Sequence, residues 1–166
     1  MSIPLAAVGA VVAALLETSV LPELTIAGAK PDLLFIIAVA ATTMIGIENG
    51  LTWAFVGGLM LDLLTPGRQL GATSLTLLLV VAATAAAMRF LPQRRVSVTV
   101  ASVFVLGWAY QVLNVAILGF TAGTAATPSV ADIAPAVALS TLLAVPVAAA
   151  MRLSWLRFGA HDRMEW

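Results

Sequence analysis

Residues 31–64 read PDLLFIIAVAATTMIGIENGLTWAFVGGLMLDLL, and the architecture of the chain follows from how they are parsed. The apolar runs on either side of IENG are each barely long enough to cross a bilayer. If helices stop at Gly46 and resume at Leu51, each measures about 20–25 Å, against a hydrocarbon core of about 30 Å. Spans that short must thin the bilayer, recruit loop residues or be shielded by neighbours. The reading adopted is a helical hairpin with its tight turn at Ile47-Glu48-Asn49-Gly50. Asn-Gly is a turn dipeptide, and Glu48 marks the water boundary. Pro31 at the first helical position and Asp32 beside the positive end of the helix favour a sharp start.

Working outward, apolar runs predict helices over 3–21, 31–46, 47–64, 72–91, 97–118 and 133–153, within one membrane domain spanning residues 1–166. The composition agrees: 61% hydrophobic and 10% charged, with a mean hydropathy of +1.07. Soluble domains run about 45–50% apolar and about 25% charged, so a soluble fold is excluded. The fold class is therefore an all-α membrane protein with six transmembrane helices. The first segment has no Lys or Arg ahead of it and is too long for a signal-peptide core, so it reads as a retained helix. An even number of spans puts both termini on one side. That side collects Arg89, Arg94, Arg95, Arg152, Arg157 and Arg163, and the other only Lys30 and Arg68. By the positive-inside rule both termini are cytoplasmic. Trp155 and Phe158 suit the headgroup boundary there. Ser129 and Asp132 resemble a capping box entering the last helix, where Pro135 fits the first turn and Pro146 should kink mid-span.

Little reactive chemistry is available. Eight basic and eight acidic residues cancel, there is no cysteine, and the single histidine, His161, lies in the tail. Nucleic-acid binding, thiolate or multi-histidine metal sites and cysteine nucleophiles are excluded. No Ser/His pairing or phosphate loop occurs, so neither catalytic residues nor a metal or cofactor site is expected. A channel lacks a polar helix face to line it.

Asp62, inside LMLDLL, is the most informative position. A carboxylate in an apolar span is costly, and the end of a helix disfavours an anion. It therefore needs a partner, either Arg68 beyond the turn or backbone N–H groups. Gly50, Ala54, Gly58 and Asp62 recur every four residues and line one helix face, where small residues admit a second backbone. A weaker alanine stripe runs through Ala6, Ala10 and Ala14, and another through Ala82 and Ala86. Glu17 sits in the outer third of the first span and either snorkels or faces Lys30 or a neighbouring helix. Arg89, with Arg94 and Arg95, sets topology and meets anionic lipid.

Pro31-Asp32-Leu33-Leu34, Glu48-Asn49-Gly50, Gly57-Gly58-Leu59-Met60-Leu61-Asp62-Leu63-Leu64, Pro66-Gly67 and Leu70-Gly71-Ala72 together resemble the MreD family of rod-shape-determining membrane proteins. The resemblance implies a fold similar to the substrate-binding component of energy-coupling-factor transporters. It also implies a place in the bacterial inner membrane within the machinery for lateral peptidoglycan. The partners it implies are MreC, the MreB filament system indirectly, and a membrane glycosyltransferase with its penicillin-binding transpeptidase. Pro31, Asp32, Gly58 and Asp62 match the family motif. With Gly50, Ala54 and Arg68 they form the expected partner-binding set. The function expected is a non-catalytic scaffold that docks MreC. The alternative is a vitamin-binding transporter component, whose first-span alanine stripe would meet a coupling subunit.

Overall fold

The computed structural model describes residues 3–20, 31–66, 69–90, 96–122 and 130–158. The expectations for Lys30, Arg68, Arg94, Arg95, Arg157, His161, Arg163, the Ser129–Asp132 pair, Trp155 and Phe158 concern residues or side chains outside that description. No strand occurs among the described residues, which form α1 (Ile3–Ser19), α2 (Leu33–Met44), α3 (Ile47–Thr52), α4 (Gly58–Leu64), α5 (Ala72–Ala87), α6 (Val96–Ala122) and α7 (Val130–Phe158). A π-helical segment, Trp53–Gly57, joins α3 to α4 without a break, so these three make a single rod.

At 12 residues, α2 is about 18 Å long. Its length does not have to match a bilayer, because α2 is the centre of the bundle. It packs against α1, α3, the π segment, α5, α6 and α7, and ten of its residues are buried. Polar contacts fix its register at both ends. Asp32 N–H donates to Ser140 Oγ of α7 at 3.4 Å, and Gln111 Nε2 of α6 donates to Asp32 Oδ2 at 2.8 Å. At the far end, the Thr43 and Thr99 hydroxyls lie 2.8 Å apart. The rise from Thr99 to Gln111 on α6 is about 18 Å and that from Asp32 to Thr43 on α2 about 17 Å, so the contacts agree.

The turn between α2 and the rod is not where the Asn-Gly dipeptide put it. Residues 47–50 open α3, and the chain reverses at Ile45–Gly46. Gly46 adopts φ +142, a backbone open in practice only to glycine. The Ile45 and Gly46 amides both donate to the Ala41 carbonyl, which closes α2 tightly. Gly50 is needed for packing instead: a Cβ there would collide with the Thr42 hydroxyl. The expected start of α2 shifts as well. Leu33 is the first helical residue and Asp32 the N-cap position, so Pro31 precedes the helix. In α7 the helix begins at Val130, so Pro135 lies beyond its first turn, and α7 is assigned as one helix through Pro146.

The apolar core also takes in polar and acidic side chains, while many large apolar ones stay outside. Glu17, Asp62, Thr42, Thr73, Thr84 and Thr99 are buried, whereas Leu5, Val8, Val12, Leu63, Leu75 and Val105 are exposed. Buried threonines keep their hydroxyls satisfied by donating back along their own helices, as Thr42 does to Ala38 O and Thr84 to Val80 O. Val96–Ile117 and Ile133–Leu153 are long and apolar enough to cross a membrane. Most of each lies on the outside of the bundle, unlike the core helix of a soluble domain.

Close approach of backbones holds the bundle together, because in lipid the hydrophobic effect does not drive helix against helix. A Cβ on Gly58 would come within 2.6 Å of the Ser74 backbone, and one on Gly57 within 2.6 Å of Leu34. Gly58→Ala is expected to lower stability by about 1–3 kcal/mol through overpacking. Ala82→Leu, on an exposed face of α5, is expected to change it by less than about 0.5 kcal/mol. Denaturant titration in detergent micelles measures both.

Candidate functional site: carboxylates at two helix starts

A helix begins with several amides that have no partner inside the helix. In α5 the first helical bond runs from Leu75 N–H to Gly71 O, which leaves the preceding amides to find acceptors elsewhere. Asp62, at the end of α4 and 3% exposed, supplies them. Its Oδ2 accepts the Gly71 N–H at 2.9 Å, and the Thr73 N–H reaches Oδ1 and Oδ2 at 3.2 and 3.1 Å. The anion thus sits against the positive end of α5, which offsets its unfavourable place at the negative end of α4. Of the partners considered for Asp62, backbone N–H groups are the ones found among the described residues, and Arg68 lies outside them. Gly71, at φ +91, turns the chain so that its amide reaches the carboxylate.

Glu17 does for α2 what Asp62 does for α5. It is 5% exposed, and its Oε2 accepts the Leu34 N–H at 2.8 Å. Its carboxylate turns inward to a neighbouring helix rather than snorkelling. Asp32 holds the N-cap position of α2, yet its side chain makes no cap bond to its own helix. It accepts from Gln111 instead. The carboxylate expected to cap α2 therefore ties α2 to α6, and one from α1 does the capping.

The small-residue ridge is filled from within the chain. Gly50 faces Thr42 of α2, Gly58 faces Ser74 of α5, and Ala54 is fully buried. The π segment explains why residues four apart meet different neighbours. Its wider turn shifts the register between Ala54 and Gly58, and the Ser74 hydroxyl donates to the Phe55 carbonyl inside it at 3.1 Å. Pro31 is buried and Asp32 half-buried at the same end of the bundle as Asp62. On α1, Ala6, Ala10 and Ala14 are fully buried against the rod and α2. That stripe is accordingly closed to a coupling subunit. Ala82 and Ala86 are exposed. Tyr110 of α6 is stacked on Phe35 of α2 with ring centroids 4.7 Å apart.

Gln111, Ser140 and Thr73 were not singled out from the sequence. Gln111 carried a usable signal, since an amide inside an apolar span asks for a buried partner. Ser140 and Thr73 carried none, being common residues in membrane helices. Among the described residues, no group of three or more His, Cys, Asp or Glu could hold a metal ion. The acidic oxygens of Glu17 and Asp62 are bonded to backbone donors. They organise helix ends.

The fold and the site together define an all-helical membrane protein whose interior polar groups hold helices in place. The chain belongs to the MreD family: the family model for rod shape-determining protein MreD matches residues 4–155. It is thus a membrane protein of rod-shape determination. No curated protein and no solved structure matched the chain.

Removing either cap leaves buried amides unpaired. Asp62→Ala and Glu17→Ala are each expected to cost about 1–3 kcal/mol. Hydrogen–deuterium exchange should locate the damage, with faster exchange at the start of α5 for the first variant and at the start of α2 for the second. Asp62→Asn retains one acceptor oxygen and should fall between wild type and Asp62→Ala.

Proposed function

We propose that the chain is a non-catalytic, six-pass scaffold of the bacterial inner membrane, with both termini cytoplasmic, that binds MreC and helps organise lateral peptidoglycan synthesis. The MreB filament system is reached indirectly. The membrane glycosyltransferase and the penicillin-binding transpeptidase join the same assembly. The family match over residues 4–155 carries this reading. Two physical observations support it. The interior carboxylates are engaged in holding helix starts, and the bundle presents large apolar side chains on its outside, where a transmembrane helix can pack.

In this proposal Pro31, Asp32, Gly50, Ala54, Gly58, Asp62 and Arg68 serve partner binding through the outer end of α2 and of the rod. The buried members on the rod, Gly50, Ala54, Gly58 and Asp62, act by fixing its position. Leu63 and Leu64, exposed at its end, then offer a defined surface. Asp32, half-buried, supplies a polar group that a partner segment reaches from outside.

Co-purification with MreC from membranes tests the assignment, with variants compared at matched membrane levels. Asp32→Ala and Gly58→Leu are expected to lower MreC recovery at least about fivefold and to round the cells, an effect equivalent to losing about 1 kcal/mol of binding. Full recovery of MreC with rod-shaped cells in both variants rejects this site.

A further inference from the structure

Asp32 is held at two places by two different helices. Its backbone N–H donates to Ser140 Oγ of α7 at 3.4 Å, and its Oδ2 accepts from Gln111 Nε2 of α6 at 2.8 Å. Neither bond caps α2, because Glu17 meets the Leu34 amide and the Asp32 side chain makes no bond to its own helix. Nor is Gln111 all that joins α6 to α2. The buried Phe35 and Tyr110 rings are stacked between the same two helices, and the Thr43 and Thr99 hydroxyls meet at their other end. Those contacts lie inside the bundle, whereas Asp32 and Gln111 are both half-buried, which puts the pair at its edge.

We propose that Gln111 is a positioning residue for partner binding: it fixes the Asp32 carboxylate in the orientation that a docking segment meets. This inference rests on the reading that MreC docks at Asp32, and adds to it how that carboxylate is set and what it receives. A neutral amide is suited to the task. It engages one carboxylate oxygen without cancelling the charge, as a lysine or arginine in its place would. An ionised carboxylate only accepts hydrogen bonds, so the partner's group at this point is a donor, an N–H or O–H. Orienting the carboxylate beforehand spares the complex the entropy of ordering that side chain on binding. Ser140 holds the backbone of the same residue, so the carboxylate is aimed from a fixed base.

The test is a double-mutant cycle on the full chain, read as MreC co-purified from membranes at matched levels. It compares Gln111→Met, Asp32→Ala and the variant carrying both. Methionine keeps the unbranched shape of glutamine and cannot donate. Gln111→Met is expected to lower MreC recovery about threefold in the wild-type background and less than about twofold in the Asp32→Ala background, since residues that act through one another are not additive. Hydrogen–deuterium exchange at the start of α2, where Glu17 holds the Leu34 amide, should match wild type in Gln111→Met. A merely structural role would lower recovery equally in both backgrounds and speed that exchange. Full recovery in Gln111→Met, an equal loss in both backgrounds, or faster exchange at the start of α2 overturns the positioning role, while a loss of MreC in Asp32→Ala leaves the docking reading standing. Full recovery in Asp32→Ala rejects Asp32 as a docking contact, and this inference with it.

Discussion

A helix that starts inside an apolar medium cannot leave its first amides to water. Two helices of this bundle meet that constraint with carboxylates borrowed from other helices: Glu17 of α1 bonds the start of α2, and Asp62 of α4 bonds the start of α5. Each acid crosses a chain connection to reach a later helix, so the cap is also a tertiary clamp. Charges that would be costly alone in an apolar span become the groups that set where neighbouring helices begin. The central position of α2 depends on this, since its length of about 18 Å would be poorly matched to a bilayer if lipid surrounded it.

The remaining cohesion comes from small residues. Gly50, Gly57 and Gly58 bring the rod against Thr42, Leu34 and Ser74, distances that even a methyl group would violate. Alanines on α1 do the same along the outside of the rod. Gly57 and Gly58, adjacent in sequence, face α2 and α5 respectively. Many large apolar side chains remain on the exterior, while buried threonine hydroxyls and two carboxylates bond backbone carbonyls and amides inside.

For a member of the MreD family this division has a functional sense. Part of the inner polarity is committed to the protein's own helix ends. The outside offers a set of apolar helix faces and, at one end, the half-buried Asp32 held by Gln111 of α6. The opposite end carries Arg89 and Phe90, both exposed where α5 finishes. The two ends therefore present different chemistries.

Much of this was legible in the residues themselves. Apolar run lengths fixed an all-helical membrane class. The cost of a carboxylate in LMLDLL required a partner for Asp62, and spacing of four marked the ridge of Gly50, Ala54, Gly58 and Asp62. Local rules failed where two local preferences competed. Asn49-Gly50 looks like a turn, yet Gly46 alone could take the φ needed for reversal, and Gly50 was required by the nearness of Thr42. Periodicity of four treated the rod as a uniform α-helix, whereas the π segment split its ridge between two neighbours. The sequence by itself determined which residues lipid would penalise and which small residues would allow close contact. Only the tertiary structure decided who answers them, because Glu17, Gln111 and Ser140 reach α2 from three different helices. Such pairings depend on where helix ends fall in space, which no spacing along one chain segment records.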